Sequence, residues 1–195
     1  PVRFISNPSS GKMGYAVARA AEYRGAEVVL VTGPTAIDLP LNVQAVQIQT
    51  AEEMARAVFE HMDTADVIIK TAAVGDYRAR HTAEHKIKKT RDELTLTLVK
   101  NPDILKSVGE RKTRQILVGF AAETRDLREN AQEKLEKKNL DIIVGNLVGH
   151  PSSGFGTDTN RVTLFYRDGG SEPLEEMDKA AVAHLILDRV CERLT

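Results

Sequence analysis

EVVLVTGP, Glu27 to Pro34, is a short β-branched run closed by a glycine and a proline, and it reads as a buried strand. It follows a segment of a different period. From Lys12 to Arg24 the apolar residues Met13, Ala16, Val17, Ala20 and Ala21 recur at helical spacing, and Gly25 supplies the stop. The alternation then repeats. Val43 to Ile48 predicts a strand, Glu52 to Met62 a helix, and DVIIK, Asp66 to Lys70, another buried strand. Strand and helix in strict turn, with apolar strands, indicate an α/β sandwich.

Gly75 to Asp92 breaks this rhythm. The segment is polar and charged, with HKIKK at its centre, and reads as a long flap loop leaving the core. ELTLTLV, Glu93 to Val99, alternates at period two and predicts a strand with one wetter face. The pattern resumes with a helix opening at NPD, a strand ILVGF, a helix from about Arg125 to Lys138 and a strand LDIIVGN. A second irregular segment, HPSSGFGTDTN, precedes a predicted strand Val162 to Tyr166, a Gly-rich turn and a last helix from about Lys179 to Arg193.

With 195 residues and 42% apolar content, the chain suits one domain that buries a core without disulfides or metals. Its 27 basic and 28 acidic residues leave a formal charge of −1, which offers no general attraction to nucleic acid or anionic lipid. Any anion site is therefore local. Cys191, the single cysteine, forms no internal disulfide, and no apolar run approaches a membrane span, so the expected setting is the reducing cytoplasm.

SNPSSGKMG, Ser6 to Gly14, places Asn7, Ser9, Ser10 and Gly11 just before the first helix, where backbone N–H groups lack intrahelical partners and the helix dipole is positive. Small residues there let a phosphate approach the backbone. The same composition also serves an ordinary N-cap. Thr71, Ala72 and Asp76, in TAAVGDYR, fall at the carboxyl end of a strand, where open α/β sheets bind ligands; Asp76 reads either as a Mg²⁺ ligand or as a turn residue after Gly75. Lys86, Lys88 and Lys89 are either solvated surface or cations that close over a phosphate. KNPDIL is a normal helix opening, and GFAAET, with Phe120, follows a strand as a flat edge on which a base could stack. Lys134 and Lys138 share one helix face, to hold phosphates or face water.

In this order PVRFISNPSSGKMG, AAVGDYR, KIKK, KNPDIL, GFAAET and NLDIIVGN resemble the phosphopantothenoylcysteine synthetase domain of the bacterial bifunctional coenzyme A biosynthesis proteins. The resemblance spans residues 1–195. It implies a three-layer α/β/α sandwich of Rossmann-like kind with a long flap loop, and a CTP- and Mg²⁺-dependent ligase that joins 4′-phosphopantothenate to L-cysteine through an acyl-cytidylate, releasing pyrophosphate and CMP. It also implies an oxyanion-stabilising Asn7, a flap Lys86 on the triphosphate, and a metal-linked Asp76. Ser9, Ser10, Gly11, Thr71, Ala72, Pro102, Asp103, Ile104, Leu105, Phe120, Lys134 and Lys138 would surround the nucleotide. Lys12 is passed over for the catalytic lysine. Family members act as homodimers and begin with a further strand and a Gly-rich turn, usually behind a flavin-dependent decarboxylase domain. Neither lies within residues 1–195, so no flavin is expected here, and the sheet is expected to be short of a central strand.

Three other readings stay open. They are the same ligase using ATP, a nicotinamide oxidoreductase on a similar sheet, and a non-catalytic nucleotide-binding module. The absence of G-x-G-x-x-G, and of a Tyr and Lys pair four apart, counts against the second.

Overall fold

The computed structural model describes residues 4–88, 93–123, 125–147 and 157–194. Helix α1 (Lys12–Tyr23) leads to β1 (Val29–Thr32), β2 (Gln44–Gln47), α2 (Ala51–Met62) and β3 (Val67–Lys70). A short ribbon of β4 (Tyr77–Ala79) and β5 (Leu98–Lys100) precedes α3 (Ile104–Arg111), β6 (Ile116–Glu123), α4 (Leu127–Lys137) and β7 (Ile142–Leu147). The chain closes with β8 (Thr159–Asn160), β9 (Thr163–Tyr166), β10 (Ser171–Pro173), β11 (Met177–Asp178) and α5 (Lys179–Cys191).

The main sheet runs β10-β9-β7-β6-β3, with β3, β6 and β7 parallel and β9 and β10 antiparallel. Alternate residues of β6 and β7 face opposite layers. Leu117, Ala121 and Ile143 pack on α2, α3 and α4, while Val118, Ile142 and Val144 pack on α5. Helix α1 covers α5 through Val17, Ala20, Ala183 and Leu187, where two alanines permit close approach. This is the expected three-layer sandwich.

Strands β1 and β2 form their own parallel pair. Among the described residues β3 pairs with β6 alone, and its four residues are only half-buried, whereas Leu117 and Val118 of β6 are fully enclosed.

Local chemistry accounts for the boundaries. Gly25, at φ 83, ends α1, with its N–H donating to Glu22 O. Thr50 and Glu53 form a reciprocal capping box at the start of α2. At Gly109 a Cβ would stand 1.9 Å from Lys138 O, so the glycine is what lets α3 lie against the end of α4.

Two strand expectations are corrected. The predicted strand Glu93 to Val99 is reduced to Leu98–Lys100, because β4 offers only three residues to pair with, and Leu94, Leu96 and Leu98 stay exposed. GFAAET does not follow a strand, since β6 itself continues through Glu123 and its pairing with β7 extends that far. Lys89, Thr124 and most of HPSSGFGTDTN lie outside the described residues.

A polar clasp holds the β9–β10 hairpin on α5. Arg189 donates two 2.8 Å bonds to Glu172, and Tyr166 Oη donates to Glu172 Oε2 at 2.6 Å. The Arg189 bonds, then the Tyr166 bond, hold the Glu172 pKa down at about 2; burial, then the Glu172 carboxylate, pushes Tyr166 up to about 12. A depressed carboxylate stabilises the fold above its unfolded pKa and loses that contribution in acid, while a raised phenol loses its contribution in base. Glu172→Gln should therefore cost about 1 kcal/mol, allowing for partial exposure, or about 2–4 °C in Tm, between the ordinary values of 4.5 and 10.0. The gap between variant and wild type should close in melts taken as pH falls from 4.5 toward 2.

Candidate nucleotide-binding cleft

Parallel strands β3 and β6 direct their carboxyl ends to one edge of the sheet, and the segments leaving that edge build the site. The first is the bend after β3. Lys70 Nζ donates to Ala72 O at 2.9 Å, and Asn7 Nδ2 donates to Ala73 O at 3.0 Å, which draws the SNPSSGKMG stretch against the bend. The first turn of α1 comes equally close, since a Cβ on Gly14 would stand 2.6 Å from Thr71 Oγ1.

Serine capping of α1 does not occur as expected. Gly11 holds the N-cap position at φ 80, a left-handed conformation that glycine takes without a Cβ penalty, and Ser10 Oγ accepts from Lys12 N–H only at 3.5 Å. Lys12 pairs with Asp158 at 2.7 Å.

The second wall is the KNPDIL corner. Asn101 binds the bend twice: its N–H donates to Asp76 O at 2.8 Å and its Nδ2 to Gly75 O at 2.7 Å. Arg78 donates to Lys100 O at 2.5 Å and to Asn101 Oδ1 at 3.3 Å, and forms an ion pair with Glu52 of α2. Asp103 then caps α3, accepting from Lys106 N–H at 3.1 Å, and pairs through its other oxygen with Lys138 at 2.8 Å. Burial works against the Asp103 carboxylate, but the bonds from Lys138 and the Lys106 N–H outweigh it and hold its pKa below the usual value.

Between these walls lies a cleft of about 500 Å³, lined by the bend from Val74 to Tyr77, by Lys100 to Ile104, and by Lys70, Lys106 and Lys138. Four lysines and two aspartates face it, a local positive excess on a chain of net charge −1. A hollow of about 540 Å³ lies at the opposite, amino ends of β6 and β7. Two of its cations are already matched, Lys112 with Asp141 at 2.5 Å and Arg114 with Asp66.

The cleft thus gathers Asp76, Pro102, Asp103, Ile104 and Lys138 from the sequence expectations. Asn7, Thr71 and Ala72 adjoin it at the bend. Leu105 is a core residue with 7% exposure. Phe120 is half-buried and packs against the layer between the sheet and α5. Lys134 is paired with Glu123 at the end of β6. Lys86 is exposed on the loop between β4 and β5, outside the cleft lining. Sequence reasoning missed Lys70, Arg78 and Asn101 as site residues; only the position of Asn101 before a Pro-Asp helix opening marked it.

The family profile described as DNA/pantothenate metabolism flavoprotein C-terminal domain matches residues 1–194. The chain belongs to this family. The coenzyme A biosynthesis bifunctional protein CoaBC of Bacillus subtilis (strain 168) is 47% identical over 191 residues, covering 97% of this chain and 47% of that protein. The protein of the same name from Escherichia coli (strain K12) is 47% identical over 198 residues, 99% of this chain and 48% of its own length. The chain therefore spans about half the length of these curated relatives. A crystal structure of the C-terminal domain of CoaBC superimposes with TM-score 0.83 at 43% identity, covering 97% of this chain and 86% of that one. The flavoprotein from Streptococcus pneumoniae shares the fold, with TM-score 0.85 at 22% identity over 98% of this chain and 92% of its own.

Asp103→Ala removes the α3 cap and the Lys138 partner together. It should cost about 1 kcal/mol in urea unfolding at neutral pH. Because the folded pKa is depressed, the wild-type advantage should persist above the ordinary value of 3.8 and shrink as pH falls below it.

Proposed function

We propose that the chain is the ligase that joins 4′-phosphopantothenate to L-cysteine with CTP. The observation that carries this reading is the positive cleft at the carboxyl edge of β3 and β6, built from the AAVGDYR and KNPDIL motifs in a chain with no net positive charge. Its volume suits a nucleotide-sized ligand. Support for the substrates comes from membership of the family and from relatives named for coenzyme A biosynthesis.

The chemistry follows from the weakness of a carboxylate as an acyl donor. The pantothenate carboxylate attacks the α-phosphorus of CTP, the bond to the β-phosphate oxygen breaks, and pyrophosphate leaves an acyl-cytidylate. The cysteine amine then attacks the acyl carbon, CMP departs with the C–O bond pair, and the amine loses a proton. Both steps build negative oxygen that preplaced donors must meet. Asn7 serves the second step: its amide carries two N–H donors, and the bond to Ala73 O occupies one. Lys86 meets charge on the triphosphate from the flap, and Lys138 supplies a fixed cation within the cleft.

Mg²⁺ fits this design as a metal shared with the substrate. Among the described residues no cluster of three His, Cys, Asp or Glu could hold a metal ion, whereas one exposed carboxylate, Asp76, together with phosphate oxygens and waters, makes an ordinary Mg²⁺ site. When bound, the metal would neutralise phosphate charge beside Asp76.

The exposed leucines Leu94 and Leu96 lead into Leu98 at the start of β5, in a ribbon too short to be stable alone, which supports a homodimer formed through the flap base. We also read the enzyme as cytoplasmic. Among the described residues no helix is long and apolar enough to cross a membrane.

With 4′-phosphopantothenate and Mg²⁺, pyrophosphate release should prefer CTP and should proceed without cysteine, because activation precedes amine attack. Equal release from all four nucleotides, or none without cysteine, rejects the scheme. Asn7→Asp places a like charge where the oxyanion forms and should slow the cysteine step by about a hundredfold, with a smaller effect on activation in single-turnover assays. Lys86→Gln should slow turnover while leaving Tm unchanged; a large drop in Tm would assign that lysine a structural task.

A further inference from the structure

Among the described residues, Lys70 is the cleft lysine that is removed from water without an ion pair. Lys138 is paired with Asp103 at 2.8 Å, Lys106 lies 3.7 Å from Glu110, and Lys100 is exposed to water. Lys70 is different. It is the last residue of β3, half-buried, and its ammonium donates to the Ala72 carbonyl at 2.9 Å with no ion pair among the described residues. Burial, reinforced by nearby Lys138, lowers its pKa, while Asp103 and Asp76 pull the other way. Neither aspartate is within ion-pair contact, and Asp103 is already committed to Lys138 and to the cap of α3.

A partly desolvated ammonium that lacks a counter-ion costs folding free energy, so an apolar side chain of similar length would serve the core better. An ammonium has three donors and the Ala72 bond takes one, leaving two for a ligand in the cleft that Lys70 lines. We propose that Lys70 is an anion-anchoring residue of this cleft and donates to a phosphate oxygen of the bound nucleotide. The inference rests on the nucleotide reading above and adds a side chain that the motif resemblance leaves unassigned. Its β-strand position makes it a fixed cation, in contrast to Lys86 on the flap.

The test is calorimetric titration of wild type, Lys70→Met and Lys70→Gln with CTP, inorganic pyrophosphate and cytidine, together with melts of the ligand-free proteins. Gln keeps a donor for Ala72 O without the charge, and covers the case in which the methionine variant folds poorly. Both variants should bind CTP and pyrophosphate about tenfold to a hundredfold more weakly and cytidine unchanged. Ligand-free Lys70→Met should melt about 2–4 °C higher than wild type. CTP affinity within about twofold of wild type, or an equal loss for cytidine, overturns the assignment. A lower Tm for both variants, with affinity lost for all three probes, makes Lys70 structural and overturns it too. Failure of the wild type to bind CTP overturns the nucleotide reading itself, and this inference with it.

Discussion

Strand β6 is buried on both faces, and that constraint organises the molecule. Ile116, Leu117 and Val118 are each at most 6% exposed, and neither of their faces can be left to water. Helices α2, α3 and α4 must cover one side and α5 the other, with parallel partners β3 and β7 on its two edges. Its amino end is anchored by Asp141, whose carboxylate accepts from Leu117 N–H at 2.7 Å while pairing with the enclosed ammonium of Lys112. A strand held this firmly gives its carboxyl edge a fixed geometry. The loops there can then afford chemistry at the expense of packing.

At that edge polar groups serve structure and ligand at once. Asp103 terminates α3, restrains Lys138 and sets part of the field that Lys70 feels. Asn101 and Arg78 tie the bend after β3 to the base of the ribbon and to α2. The tight approach of Gly109 to the Lys138 carbonyl, with Asn139 Nδ2 donating to Gly109 O at 2.7 Å, holds the same lysine from behind. Donors fixed in this way need little reorganisation when a phosphate arrives, which is the condition for strong electrostatic stabilisation.

Much of the fold was legible because its signals are local. DVIIK, ILVGF and LDIIVGN are apolar runs too short to be anything but buried strands, and the helices between them carry their period openly. Legibility failed where an outcome depended on a partner. ELTLTLV has the alternation of a long strand, yet β4 gives it only three residues to pair with. The serines before α1 have capping chemistry, but the sharp entry into the helix demands a positive φ that Gly11 supplies.

The candidate site divides along the same line. Sequence by itself determined the order of the helices and of the strands β1, β2, β3, β6, β7 and β9, the motifs that fall at the carboxyl edge and the requirement that any anion site be local, because period, β-branching and net charge are properties of neighbouring residues; the short strands β4, β8, β10 and β11 exist only through their pairing. Tertiary structure alone decided which charges meet. Lys134 and Lys138 share a helix face, yet one is matched by Glu123 on β6 and the other enters the cleft. Lys70 reads in sequence as the end of a strand and becomes a cleft cation only when the bend after β3 and the start of α3 close around it. Such juxtapositions join residues far apart in the chain, and they exist only once the layers have packed.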